Sequence, residues 1–189
     1  MSVKDMMMIG MMTAVAGAIG FIPAIPIPGI IPPITLQSIA PILAGGILGA
    51  RRGALSMIVF VVLVACSVPM LAGMRGGLGH LLGPTGGYIF SWILVAFFIG
   101  LFVSYVPKLK VWSLVLVSAV LSMVIQYLFG AVSVSFTSDM SYTAALQMNV
   151  IFMPGDVLKA IVASMVIVRV RHALYGLRHE EDIVLNKVS

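Results

Sequence analysis

Apolar side chains gather along this chain into six stretches bounded by charge, glycine or proline: residues 6–22, 36–50, 53–72, 86–106, 111–132 and 154–174. Most approach the roughly 20 residues with which an α-helix crosses about 30 Å of hydrocarbon. The pattern predicts an all-α integral membrane protein built as a six-helix bundle. The second stretch is short and follows a run of prolines, so it is expected to cross incompletely or to start deep. The first stretch is longer than the apolar core of a secretory leader and reads as an anchor that is not cleaved.

Charge then orients the helices. Lys4, Arg51, Arg52, Lys108, Lys110, Arg169, Arg171, Arg178 and Lys187 fall on one side of a six-span arrangement, and Arg75 on the other. Basic residues favour the cytoplasmic side, which predicts that both termini are cytoplasmic. Trp112, at the start of the fifth stretch, fits an interfacial anchor. After residue 174 the chain turns polar, with Arg178, His179, Glu180, Glu181 and Asp182. The expected division is a membrane domain over 1–174 and a polar cytoplasmic tail over 175–189.

Composition narrows the class. At 61% hydrophobic and 9% charged residues, with a mean hydropathy of +1.16, the chain exceeds what a soluble domain of 189 residues can hide. The net charge of +5 is then a topology signal, giving no reason to expect nucleic acid. A single cysteine, Cys66, excludes a disulfide within the chain and a metal site built from several thiolates.

Two loops on the side of Arg75 stand out. Residues 23–33 hold half of the chain's ten prolines and no charge, so this loop has few N–H groups to satisfy and is expected to lie as an extended lid. Residues 73–88 are rich in glycine and lead into the fourth stretch, where a helix N-terminus presents free N–H groups. Polar residues gather at this same end, at Arg75, Thr85, Tyr88, Asn149, Asp156 and Lys159, with Gln126 the main exception further in. Asp156 and Lys159 lie three apart and so share one helix face. An acid and a base at membrane depth are costly, roughly 2.5–3.5 kcal/mol each on insertion scales, and mark a functional site. The arrangement suits an outward-opening pocket for a small, partly apolar ligand with hydrogen-bonding ends.

Other chemistries lack their signatures. No phosphate loop and no glycine-rich dinucleotide fingerprint occurs, and no H-E-x-x-H or G-x-S-x-G motif is present. His80, His172 and His179 fall on different sides of the membrane or in the tail. Neither an enzyme nor a cofactor is expected.

Gly83-Pro84-Thr85-Gly86-Gly87-Tyr88 before the fourth helix and Met153-Pro154-Gly155-Asp156-Val157-Leu158-Lys159 opening the sixth resemble BioY, the biotin-specific S-component family of energy-coupling-factor transporters. The resemblance implies a membrane-embedded binder that captures biotin outside and works with one coupling protein and two ATPases. An S-component for another vitamin, or a stand-alone small-molecule carrier, is the alternative. Ala14 and Ala18 match the Ala-x-x-x-Ala pattern with which such subunits dock the coupling protein, and Gly10 extends that stripe by one turn.

Biotin's chemistry suggests roles for the outer polar residues. Asp156 suits a ureido N–H as a charge-assisted acceptor. Lys159 can keep Asp156 ionised, or donate to the ureido carbonyl or the valerate carboxylate. Arg75 is the first choice for that carboxylate, with the backbone N–H groups of Gly86 and Gly87 as competitors. Thr85, Tyr88 and Asn149 are neutral partners.

Overall fold

The computed structural model describes residues 1–106 and 110–188, with side chains described outside 30–31 and 174–188. Lys108 of the basic side, and the side chains of the polar tail, lie outside the described residues. The chain runs as α1 (Val3–Ile19), β1 (Ile25–Ile27), β2 (Ile30–Ile34), α2 (Ala40–Leu48), α3 (Ala50–Ala65), α4 (Leu78–Leu82), α5 (Gly86–Tyr105), α6 (Val111–Thr137), α7 (Tyr142–Met148) and α8 (Met153–Val188). Helices α1, α2, α3, α5, α6 and α8 make the expected bundle, while α4 and α7 are short caps at one end of it.

The burial pattern on α6 shows why this is a membrane fold. Its inward face carries Ser118, Ser122, Gln126 and Gly130, whereas Leu116, Val120, Val124, Leu128 and Phe136 are exposed. Water would invert that arrangement; lipid stabilises it. By length and composition alone, Gly86–Tyr105, Val111–Thr137 and residues 142–173 are long and apolar enough to cross a membrane.

The second stretch is short, as expected. A 3-10 turn at Gln37–Ile39 leads into α2, only nine residues long. Gly49, at φ 82°, then turns the chain sharply into α3, so that helix begins before Arg51 and Arg52 and not at residue 53. It also ends sooner than residue 72. Ser67 takes a left-handed conformation ahead of Pro69, and the following segment folds back, Gly77 N–H donating to the Val64 carbonyl at 2.7 Å. That bond satisfies one of the carbonyls a helix C-terminus leaves free.

The Pro-rich loop is not a featureless flap. β1 and β2 pair antiparallel, Ile25 with Ile34 and Ile27 with Ile30, around Gly29 at φ 77°. With only two strands, Pro32 and Pro33 can be accommodated on a free edge. The sixth helix continues through Val188, so the change at residue 174 is one of sequence polarity and not a break in the backbone.

Hydrogen bonds lock the small-residue contacts between helices. Thr13 on α1 donates to the Ser56 carbonyl on α3 at 3.0 Å. Gln37 donates to the carbonyls of Ala16 at 2.8 Å and Met70 at 2.6 Å, which ties α1, the entry to α2 and the segment after α3 together. At the end that holds the start of α1, Arg52 meets Asp5 at 2.7 Å. Arg171 reaches the Gly46 carbonyl at 3.2 Å near that end. The hairpin, α4 and α7 lie at the other end.

Candidate functional site

A cavity of about 130 Å³ opens at the hairpin end of the bundle. Its wall is assembled from the second strand, the entry to α2, the glycine-rich loop, and α5, α6 and α8. Asp156 stands in the first turn of α8, where the helix dipole favours a negative charge. Lys159 lies one turn on, with its Nζ 2.9 Å from Asp156 Oδ1. Their side chains are 13% and 12% exposed. Two charges so withdrawn from water are sustainable only when paired and further hydrogen-bonded.

That further bonding is present. Tyr127 Oη on α6 donates to Asp156 Oδ2 at 2.8 Å, and Lys159 Nζ donates to Ser38 Oγ at 2.9 Å. The pair is thus clamped between the entry to α2 and the middle of α6. Asp156 still has lone-pair capacity, since an ionised carboxylate offers about four acceptor sites.

Neighbouring aromatics are set by a buried amide. Tyr88 Oη donates to Asn149 Oδ1 at 2.5 Å, and Asn149 Nδ2 donates to the Ala145 carbonyl at 3.2 Å and the Tyr127 carbonyl at 3.5 Å. Asn149 is 1% exposed and does not line the cavity. It orients Tyr88 from behind the wall, whereas the sequence placed it among the ligand's neutral partners.

The two glycines are likewise not on the wall. Gly86 is buried and its N–H donates to the Gly83 carbonyl at 3.0 Å. A Cβ at Gly86 would strike the Leu81 carbonyl, and one at Gly87 would strike the Phe129 carbonyl. Their smallness lets α5 approach α4 and α6. Thr85 does line the cavity, but its hydroxyl donates to the His80 carbonyl at 3.0 Å and fixes the turn between α4 and α5.

At the mouth, Arg75 is exposed and, among the described residues, has no ion pair. Half-buried His80 lines the same rim. The deep acid and base neutralise each other, so the cavity carries one uncompensated cation at its entrance. This polarity suits a ligand with a neutral hydrogen-bonding head and an anionic tail.

Sequence reasoning did not single out Ser38, His80, Trp92 or Tyr127, all of which line the cavity. The adjacent polar residues Gln126 and Tyr127, inside an otherwise apolar stretch, were the available signal. Among the described residues no cluster of metal-ligating side chains occurs.

The BioY family model matches residues 1–176. This chain belongs to the BioY family. A Lactococcus lactis protein named biotin transporter BioY is 39% identical over 176 residues, covering 89% of this chain and 91% of that one. The Rhizobium etli protein of the same name is 35% identical over 172 residues, covering 87% and 91%. A crystal structure described as the S-component for biotin from an ECF-type ABC transporter superposes with a TM-score of 0.84 at 33% identity, covering 90% of this chain and 92% of that one. The fold is that of an S-component, in a multi-pass membrane protein of a transporter family.

Proposed function

We propose that this chain is the substrate-binding membrane subunit that captures biotin from outside a prokaryotic cell. Uptake is energised by a separate module of one coupling protein and two ATPases. The observation that carries the reading is the Asp156–Lys159 pair, clamped by Tyr127 and Ser38 in the wall of a cavity, in a chain whose solved relative is an S-component for biotin.

In this mechanism biotin enters with its ureido ring leading. Asp156, paired with Lys159, accepts a ureido N–H, and Tyr88 packs beside the bicycle. The valerate points toward the rim, where Arg75 meets its carboxylate. The hairpin wall, from Ala24 and Pro32 to Thr35, lies over the bound ligand. The basic end and both termini face the cytoplasm, which leaves the cavity opening outward.

The coupling protein docks on the outer face of α1. Gly10, Ala14 and Ala18 are exposed there, with Met7, Met11 and Val15 beside them. A Cβ at Gly10 would meet nothing within 4 Å, so a partner helix can approach the backbone closely.

The test is reconstitution. Proteoliposomes containing this protein alone should bind biotin without accumulating it, and accumulation should appear on adding the coupling protein, the ATPases and ATP. Accumulation by the isolated protein without ATP would contradict the reading.

A further inference from the structure

Gln37 is 1% exposed and sits in the 3-10 turn that enters α2. Its side-chain nitrogen carries two N–H groups, and both are given to elements other than its own: the Ala16 carbonyl of α1 at 2.8 Å and the Met70 carbonyl after α3 at 2.6 Å. A Cβ at Gly20, just past the end of α1, would lie 2.2 Å from the Met70 carbonyl oxygen and 2.9 Å from Gln37 Nε2. The Gly20 carbonyl in turn accepts from Gly73 N–H at 2.9 Å. The end of α1 is therefore closed around this one amide.

Ser38, the next residue, reaches the other way. Successive residues of a 3-10 turn lie about 120° apart, so neighbours in sequence meet different parts of the bundle. Ser38 Oγ accepts from Lys159 Nζ at 2.9 Å, and the same ammonium donates to Asp156. Shortly before the turn, Pro32, Pro33, Ile34 and Thr35 line the cavity. One short turn thus holds hydrogen bonds to the charged pair on one side and to α1 on the other. Ala16 is fully buried, whereas Ala14 and Ala18 on either side of it in sequence are exposed. The amide grips α1 from inside, at the level of the stripe that the helix presents outward.

We propose that the Gln37–Ser38 turn reports the filling of the cavity to the face of α1 on which the coupling protein docks. A ligand held by Asp156 and packed against residues 32–35 orders the turn from the cavity side, and a partner on α1 orders it from the other. Whichever binds first leaves the second a turn already in place, so each tightens the other. Linkage makes the two effects equal. The inference rests on the functional reading above, on both its ligand and its docking face. It adds a positioning role for Gln37, whose amide donors are both engaged within the protein.

The experiment measures two affinities of the full chain in lipid nanodiscs. One is for the coupling protein with its two ATPases, with and without saturating biotin; the other is for biotin, with and without that module. In wild type each should improve the other by the same factor, about fivefold or more. Gln37→Met keeps the length of the side chain and removes both donors, and Ser38→Ala cuts the tie to Lys159; each should bring the factor close to one. The factor is the deciding readout, because a variant that is merely less stable loses affinity with and without the second partner alike. Thr13→Val removes the neighbouring bond from α1 to α3 and should keep the wild-type factor. A factor of one in wild type, a wild-type factor in Gln37→Met, or an equal loss in Thr13→Val overturns the link. Should Gln37→Met not fold, Ser38→Ala takes its place as the deciding variant. Wild type that fails to bind biotin, or to bind the module at all, would instead overturn the functional reading.

Discussion

At the scale of single residues, the account turns on an acid and a base whose burial is sustained by two neutral neighbours. Removing either charge leaves the other withdrawn from water and uncompensated. Asp156→Asn and Lys159→Ala should therefore each weaken biotin binding by roughly 1.5–3 kcal/mol, the scale of hydrogen bonds to charged groups. Titration calorimetry measures this directly; unchanged affinity in both variants would remove the pair from the site. The pair was readable from sequence because charge is so rare inside these helices that two such residues at i,i+3 are conspicuous. Asn149, Gly86 and Gly87 stand off the cavity wall; sequence shows that a polar or small residue stands near a site but not which side of the wall it occupies. Tyr127 and Ser38 were missed for a related reason. Their importance comes from contacts 29 and 121 residues away in sequence, which only the packed bundle creates.

At the scale of elements, hydrophobic length located the helices, and local backbone chemistry set their ends. Gly49 and Ser67 at positive φ start and stop α3 several residues from where apolar content alone would put its bounds. The Pro-rich loop read as extended, which it is, but the pairing of its two strands depends on register that composition does not carry. For α1, the exposed stripe gives a separable prediction. Gly10→Leu and Ala14→Leu add bulk on an open face, so folding and biotin affinity should stay at wild-type levels while capture of the coupling protein in pull-down is lost. Retained capture by both variants would place the docking face elsewhere.

At the scale of the whole molecule, the bundle carries a cavity with a clamped charge pair at one end and basic residues at the other, which fits a binder that works with a partner. The sequence carries no phosphate loop or dinucleotide fingerprint, and the cavity at the hairpin end is lined by the charged pair and its neighbours. The account proposed above divides capture here from energy supplied elsewhere. Its central claim is that the cavity is shaped for biotin, and the most direct check is the mass of what purified protein releases on denaturation after exposure to a mixture of vitamins. One biotin per chain is the predicted result. Release of a different vitamin, or of none, would contradict it.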